Sequence, residues 1–329
     1  MRARDAGEQP RGRGRHRPRG GRRAEPREQP PEQPRERSAQ PRERPRAQSG
    51  EEPLRRARGR RRGRRGRSDL LARVAVAVPA AVVAVVLDNL GGIYWALFML
   101  AIGCVCVHEL HGLLARWRPA KLVSFASVAA LVAAAWLGSE RTVLEVALAA
   151  LPVAFLAVAA RGRPAIGSVS IAGTLLGVWW IGVPFALAVL LRRTDHGAGV
   201  LIDLMVGTFV GDTGAYIGGR LFGRRPLAPS ISPRKTVEGL FCGVLFAILS
   251  VYVVGLNQAW LTHGDALLVG IATAVLGPIG DLFESMVKRD AGAKDAGSAF
   301  GAHGGALDRL DAVIFTVVAG YYIWSTVGH

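Results

Sequence analysis

Past Ser68 the chain is a succession of apolar runs, each about 17–25 residues long, which is the length a helix needs to cross the hydrocarbon core of a bilayer. Backbone amides and carbonyls find no water in that layer, so each run must satisfy its own hydrogen bonds as a helix. The runs fall at about residues 69–88, 91–110, 120–137, 143–161, 166–191, 197–219, 236–256, 264–285 and 307–326. This predicts an all-α, polytopic integral membrane helical bundle of about nine transmembrane helices. The run at 166–191 is also long enough for a tight hairpin, which would make ten.

Half of the residues are apolar, yet the formal charge is +17, so charge must be segregated from apolar sequence. Residues 1–67 carry 24 arginines against 9 acidic residues, a net of +15, whereas residues 68–329 carry 18 basic against 16 acidic residues, a net of +2. The first part is built of Arg, Pro, Gly, Gln and Glu with almost no large apolar side chain. It cannot bury enough surface to offset its chain entropy and reads as a disordered cytoplasmic tail. Its end, LRRARGRRRGRRGR at 54–67, abuts the first apolar run, where each basic side chain gains about 1 kcal/mol near an anionic leaflet. The tail is therefore a topology anchor, and no specific nucleic-acid partner is expected. It is too long for a signal peptide, and no small-residue cleavage pattern follows. Cys104, Cys106 and Cys242 lie in apolar runs as packing residues; three thiols supply neither a disulfide framework nor a zinc site.

The basic residues of the membrane part sort by side. The tail, Arg116 to Lys121, Arg161 with Arg163, Arg220 to Lys235, and Lys288 to Lys294 fall together, on the side that the positive-inside rule assigns to the cytoplasm. Arg192 and Arg193 are the exception. The chain thus reads as a multi-pass protein of the cell's inner (plasma) membrane.

Two loops on the basic side carry chemistry. The first is GDTGAYIGGRLFGRRPLAPSISPRKTVEG at 211–239. Asp212 lies about two turns inside the expected boundary, where an unpaired carboxylate costs about 2.5–3.5 kcal/mol on insertion scales. A metal, a proton or a basic partner such as Arg220 must compensate it. Gly214, Gly218 and Gly219 predict close helix packing. Arg220, Arg224, Arg225, Arg234 and Lys235 are interleaved with Pro226, Pro229 and Pro233. Cations on a stiffened loop suit phosphate oxygens, and they serve equally as topology charge facing headgroups.

The second loop is SMVKRDAGAKDAGSAFGAHGGALDRLD at 285–311. Just before and within it, Asp281, Glu284, Ser285 and Lys288 are spaced by three and four, so they share one helical face at the membrane edge. Gly292, Gly297, Gly301, Gly304 and Gly305 leave backbone amides open to an anion. Asp308 and Asp311, three apart, share the start of the last helix. Asp281 and Asp308 offer hard oxygen ligands for Mg²⁺, which takes one or two carboxylates plus substrate phosphates. No Walker-type GxxxxGK occurs, and HELH at 108–111 lacks the spacing of a zinc protease helix, so it reads as an interfacial cluster.

The pattern resembles the membrane-integral phosphatidate cytidylyltransferases, or CDP-diacylglycerol synthases. Their signature runs Ser, two residues, Lys-Arg, four residues, Lys-Asp, a Gly-rich stretch, His-Gly-Gly and Asp-Arg-hydrophobic-Asp. This chain supplies Ser285, Lys288, Arg289, Lys294, Asp295, Gly297, Phe300, His303, Gly304, Gly305, Asp308, Arg309, Leu310 and Asp311. DTGAY at 212–216, ISPRKTVEG at 231–239 and GDLFES at 280–285 are similar to family segments as well. The resemblance covers residues 205–315 strongly, the earlier helices weakly and the tail not at all. Gly301 stands where Pro is more usual, and Ala306 replaces a larger apolar residue; neither removes a charged group.

The resemblance implies a membrane-embedded domain over 68–329, with its catalytic part at about 205–315. It implies that the CMP moiety of CTP passes to phosphatidate, giving CDP-diacylglycerol and pyrophosphate in phospholipid biosynthesis. It makes Asp281 and Asp308 the ligands of Mg²⁺, with room for a second cation. Lys288, Arg289, Lys294, Asp295, His303, Arg309 and Asp311 then occupy catalytic positions, and Asp212, Arg220, Arg234, Lys235 and Ser285 face the substrates. His303 reads as a loop or pyrophosphate contact rather than a base, because phosphatidate is already anionic. CTP, phosphatidate and membrane lipids are the expected partners, and the glycine-rich helices are compatible with a homodimer. The alternatives are a related CTP-dependent enzyme with another lipid, such as a CDP-archaeol synthase or a polyprenol or phytol kinase, and an ion-coupled transporter. Transport calls for midplane carboxylates between symmetric halves, which this sequence does not present.

Overall fold

A computed structural model of the chain describes residues 79, 81–162, 166–297 and 304–327. The basic tail, the first part of the first expected span, Phe300, Gly301 and His303 lie outside the described residues. The helices are α1 (Ala81–Leu90), α2 (Gly92–Leu113), α3 (Lys121–Leu137), α4 (Glu140–Ala159), α5 (Gly167–Leu176), α6 (Val183–Arg193), α7 (Gly197–Phe222), α8 (Val237–Gly255), α9 (His263–Ala291) and α10 (Leu307–Val327). Among the described residues, 7 helical spans are long and apolar enough to cross a membrane; α1 and α3 are shorter. The architecture is the expected helical membrane bundle, and length and composition do not establish nine crossings.

The long run after residue 166 is one span rather than a hairpin. α5 and α6 are joined without a break by a π-turn, Gly177–Gly182. Pro184, at the start of α6, has no N–H and its ring crowds the carbonyl four residues back, so the α-helical ladder cannot run through it unchanged. A wider turn just before it absorbs the mismatch. This span is 78 % buried against 22 % for α8, which makes it the central post of the bundle. Leu131 of α3 packs against it at Gly182, and Leu110 of α2 belongs to the same buried core. On the outside, Leu148, Phe155 and Leu156 of α4 and Phe241, Leu245 and Leu249 of α8 are exposed, as a lipid-facing surface requires.

The two ends of the bundle differ in kind. At one end lie residues 114–120, 160–162, 223–236, 292–297 and 304–306. There Arg161 bonds the carbonyls of Arg118 and Pro119, at 3.2 and 3.3 Å, and Arg116 bonds the carbonyl of Asp290 on α9. At the other end, Arg192 bonds the carbonyl of Asp88 at 2.6 Å and pairs with its carboxylate at 3.3 Å, while Arg193 bonds the carbonyls of Ala135 and Gly138. These two arginines therefore close the C-terminal ends of α1 and α3, where unpaired carbonyls favour a cation. Their exception to the charge sorting has a local cause. Gly91 permits the approach: at φ 60 it turns the chain between α1 and α2, and a Cβ there would meet the Arg192 guanidinium at 2.5–2.8 Å.

The proline-bearing loop after α7 is not irregular. Pro226–Ala228 (β1) and Ser232–Thr236 (β2) form an antiparallel hairpin, with Pro226 opposite Thr236 and Ala228 opposite Ser232. Thr236 then caps α8 by accepting from the amide of Gly239 at 3.1 Å, and Glu238 closes the hairpin's base by accepting from the amides of Arg224 and Arg225 at 2.9 and 3.2 Å. This small sheet is the one departure from the all-helical expectation among the described residues.

α7 and α8 share the most extensive contact among the described helices. A Cβ on Gly211 would sit 3.0 Å from the Cβ of Ala247, and one on Gly243 would sit 2.9 Å from the Cβ of Ala215 and 3.0 Å from the carbonyl of Gly211. The small-residue reading of this helix pair is thus seen in the contacts, since only bare backbones fit at that spacing. Gly243→Val should destabilise the protein by about 1–3 kcal/mol through overpacking, lowering the thermal midpoint in detergent by several degrees. Leu245→Val, on the exposed face of the same helix, should leave it within about 0.5 kcal/mol. Equal midpoints for the two variants would contradict the packing.

Candidate active site

The functional side chains gather at the end that carries the hairpin. α9 presents Asp281, Glu284, Ser285 and Lys288 on one face, as their spacing requires. α10 brings Asp308 and Asp311 against that face. Gly280 allows the meeting, because a Cβ there would lie 2.9 Å from the ring of Phe315 and 3.2 Å from Cα of Ala312. Asp281, Glu284 and Asp311 consequently hold carboxylate oxygens that all lie within 4.8 Å of one another.

Two lysines answer this charge. Lys288 pairs with Glu284 on its own helix and with Asp308 on α10, the latter at 2.8 Å. The side chains are 13 % (Lys288), 1 % (Glu284) and 13 % (Asp308) exposed, so this is a buried triad and not a surface pair. Lys235, at the end of β2, pairs with Asp281 across from the hairpin, half-buried. Ser285 donates to Asp281 at 3.4 Å, and Arg289 donates to the carbonyl of Ile231 at 3.2 Å, fastening α9 to the hairpin. Asp308 also accepts from the amides of Gly305, at 2.7 Å, and of Ala296, at 3.0 and 3.1 Å.

Asp212 on α7 lies within electrostatic range of Asp281, Lys235 and Asp311, so it belongs to the same group. Arg220, suggested by sequence as its partner, instead bonds the hydroxyl of Tyr216 at 3.4 Å one turn back, and the cation within electrostatic range of Asp212 is Lys235, which itself pairs with Asp281. Arg234 and Arg289, exposed, are neighbours of the paired Lys235 and Lys288, and Lys294, Asp295 and Arg309 are exposed as well. His303 is outside the described residues.

The expected metal pair is divided in this arrangement: Asp281 stands in the tight carboxylate group, while Asp308 flanks it through Lys288 and Glu284. Glu284, which the sequence placed on the right face without a role, is the most deeply buried member. Its Oε1 is buried and takes part in no hydrogen bond. An orphan carboxylate oxygen beside two further carboxylates is a donor set of the kind that suits a hard divalent cation.

Removing the lysine from a buried triad leaves two uncompensated carboxylates. Lys288→Met should cost about 3–5 kcal/mol of stability, whereas Lys294→Met, on an exposed turn, should change it by less than about 0.5 kcal/mol. Adding Glu284→Gln to Lys288→Met should recover part of the loss in the thermal midpoint. A wild-type midpoint for Lys288→Met alone would contradict the triad.

Comparison with known proteins gives the site its setting. The family model described as the cytidylyltransferase family matches residues 71–327. The phosphatidate cytidylyltransferase of Mycobacterium tuberculosis is 32 % identical over 169 residues, which are 49 % of this chain and 50 % of that protein. That of Haemophilus influenzae is 35 % identical over 147 residues, 41 % of this chain and 51 % of its own length. The chloroplastic phosphatidate cytidylyltransferase 5 of Arabidopsis thaliana is 40 % identical over 147 residues, 43 % of this chain and 36 % of that protein. The chain thus spans about half the length of the curated relatives it matches. With the family model extending over nearly all of the membrane part, the chain belongs to the cytidylyltransferase family.

Proposed function

We propose that this protein transfers the CMP moiety of CTP to phosphatidate, releasing pyrophosphate and forming CDP-diacylglycerol, at the cytoplasmic face of the cell's plasma membrane. The observation that carries the proposal is the acidic cluster of Asp281, Glu284 and Asp311 at the bundle's basic rim, within a family of cytidylyltransferases. The relatives' names support the lipid substrate, and the collection of basic connections at one end supports the orientation.

In this reading an oxygen of the lipid phosphate attacks the α-phosphorus of CTP. The bond from that phosphorus to the oxygen bridging to the β-phosphate breaks, and pyrophosphate leaves with the electron pair. The attacking oxygen is already anionic near neutral pH, so the step needs little base catalysis. What it needs is the approach of two anions and the stabilisation of charge on the leaving group.

Arg234, Arg289, Lys294 and Arg309, all exposed, would supply cations for the phosphates of both substrates. Arg289 keeps donors of its guanidinium for a ligand even while bound to Ile231. Asp281, Glu284 and Asp311 would hold Mg²⁺, flanked by Asp308 and Asp212, and Lys235 would orient Asp281. Bound there, the cation would neutralise the phosphates of CTP as charge develops on pyrophosphate. The bond from Arg289 to Ile231 and the pair of Lys235 with Asp281 tie the hairpin to α9 at two points.

The test is formation of CDP-diacylglycerol and pyrophosphate by the purified protein in mixed micelles with CTP, Mg²⁺ and phosphatidate. Asp281→Asn and Asp311→Asn should each lower kcat/KM by about a hundredfold or more, the size of loss expected when one stabiliser of developing charge is removed. A folded protein that makes product from a polyprenol or an archaeal ether lipid but not from phosphatidate would overturn the substrate. Full activity in both variants would overturn the site.

A further inference from the structure

Glu109 belongs to HELH at 108–111, on α2, far from the segments that carry the resemblance. The structure turns it inward: Glu109 is 5 % exposed, at the level of Cys106 and Leu110, both fully buried. Its Oε2 accepts the amide of Leu307 at 2.9 Å, across 198 positions of chain. Leu307 is the first residue of α10, directly before Asp308.

Two glycines close on the same carboxylate. A Cβ on Gly297 would fall 2.5 Å from Oε1 and 2.6 Å from Cδ of Glu109, and one on Gly305 would fall 2.6 Å from Cδ and 2.7 Å from Oε1. Any larger residue at either position would push the connection off α2. The connection around Glu109 also serves Asp308, through the amides of Ala296 and Gly305. Amides at a helix start lack intrahelical partners and favour carboxylates, and a bond to an ionised acceptor is about twice as strong as a neutral one. A buried carboxylate is costly unless such bonds offset it.

We propose that Glu109 is a positioning residue: from the rigid end of α2 it clasps the start of α10, so that Asp308 and Asp311 keep their place against Asp281, Glu284 and Lys288. The kinetic consequence rests on the cytidylyl-transfer reading; the structural consequence does not.

The experiment uses the full chain in detergent micelles and two readouts. Hydrogen exchange of the peptide covering residues 304–311 reads the clasp without any substrate. Glu109→Leu, which keeps bulk and loses the acceptor, should speed exchange of these amides on the order of tenfold, the effect of one lost hydrogen bond. Peptides of α7 and α8 should exchange as in wild type. Glu109→Gln retains an acceptor oxygen and should keep exchange within about threefold of wild type.

Gly297→Ala, which presses on the carboxylate from the connection side, should reproduce the faster exchange and guards against a Glu109→Leu protein that does not fold. In turnover, Glu109→Leu should lower kcat about tenfold or more with KM for CTP changed little, and Glu109→Gln should restore most of it. Wild-type exchange at 304–311 in both Glu109→Leu and Gly297→Ala would overturn the clasp. Glu109→Gln as impaired as Glu109→Leu in both readouts would overturn the acceptor role. A wild-type chain without product, but with the expected exchange pattern, would sink the substrate reading and leave the clasp standing.

Discussion

Negative charge at the edge of a low-dielectric slab must be neutralised where it stands, because neither water nor salt screens it well there. Asp212, Asp281, Glu284, Asp308 and Asp311 place five carboxylates in such a region, and Lys235 and Lys288 are the lysines paired within it. Every other feature of this end of the molecule bears on that imbalance. The helix contacts bring the acids together, the hairpin delivers one lysine, and the orphan oxygen of Glu284 marks where further positive charge fits. In the proposed reaction the same imbalance is useful, because a cation recruited by the acids brings the phosphates of CTP to an anionic lipid that would otherwise repel them.

Holding like charges this close requires a stiff frame. Gly280 lets α9 and α10 touch at the level of Asp281 and Asp311, and Gly211 and Gly243 let α7 and α8 touch nearby. The central span from Gly167 to Arg193 carries the π-turn whose Trp180 packs edge-on against Phe283, the neighbour of Glu284, with ring centres 4.8 Å apart. The acidic group is thus backed by the most buried helix of the bundle. A soft bundle would relieve the repulsion by spreading.

The features legible in the sequence are those with short-range physical causes. Apolar run length located the helices, because a spanning segment must bond internally. A spacing of three and four put Asp281, Glu284, Ser285 and Lys288 on one face because that is the helical repeat. Charge sorting separated the two ends of the bundle. What escaped depended on contacts between distant residues. Lys235 rather than Arg220 is the cation near Asp212, since the hairpin brings Lys235 to Asp281 on α9. HELH reads as an interfacial cluster until α2 is seen to carry Glu109 inward to Leu307. His111 likewise turns in, to the hydroxyl of Ser124 at 3.0 Å. The hairpin was hidden because its prolines, which suggest a stiff loop, sit where short exposed strands tolerate them.

In the proposed site Asp281, Glu284 and Asp311 surround one divalent cation. The direct measurement is Mn²⁺ binding, followed by electron paramagnetic resonance of the purified protein with CTP, for wild type, Asp281→Asn, Asp311→Asn and Arg141→Met, the last lying at the opposite end of the bundle. Mn²⁺ should bind the wild-type protein, with affinity about tenfold or more lower in the two aspartate variants and unchanged in Arg141→Met. Equal affinity in all four proteins would contradict this site.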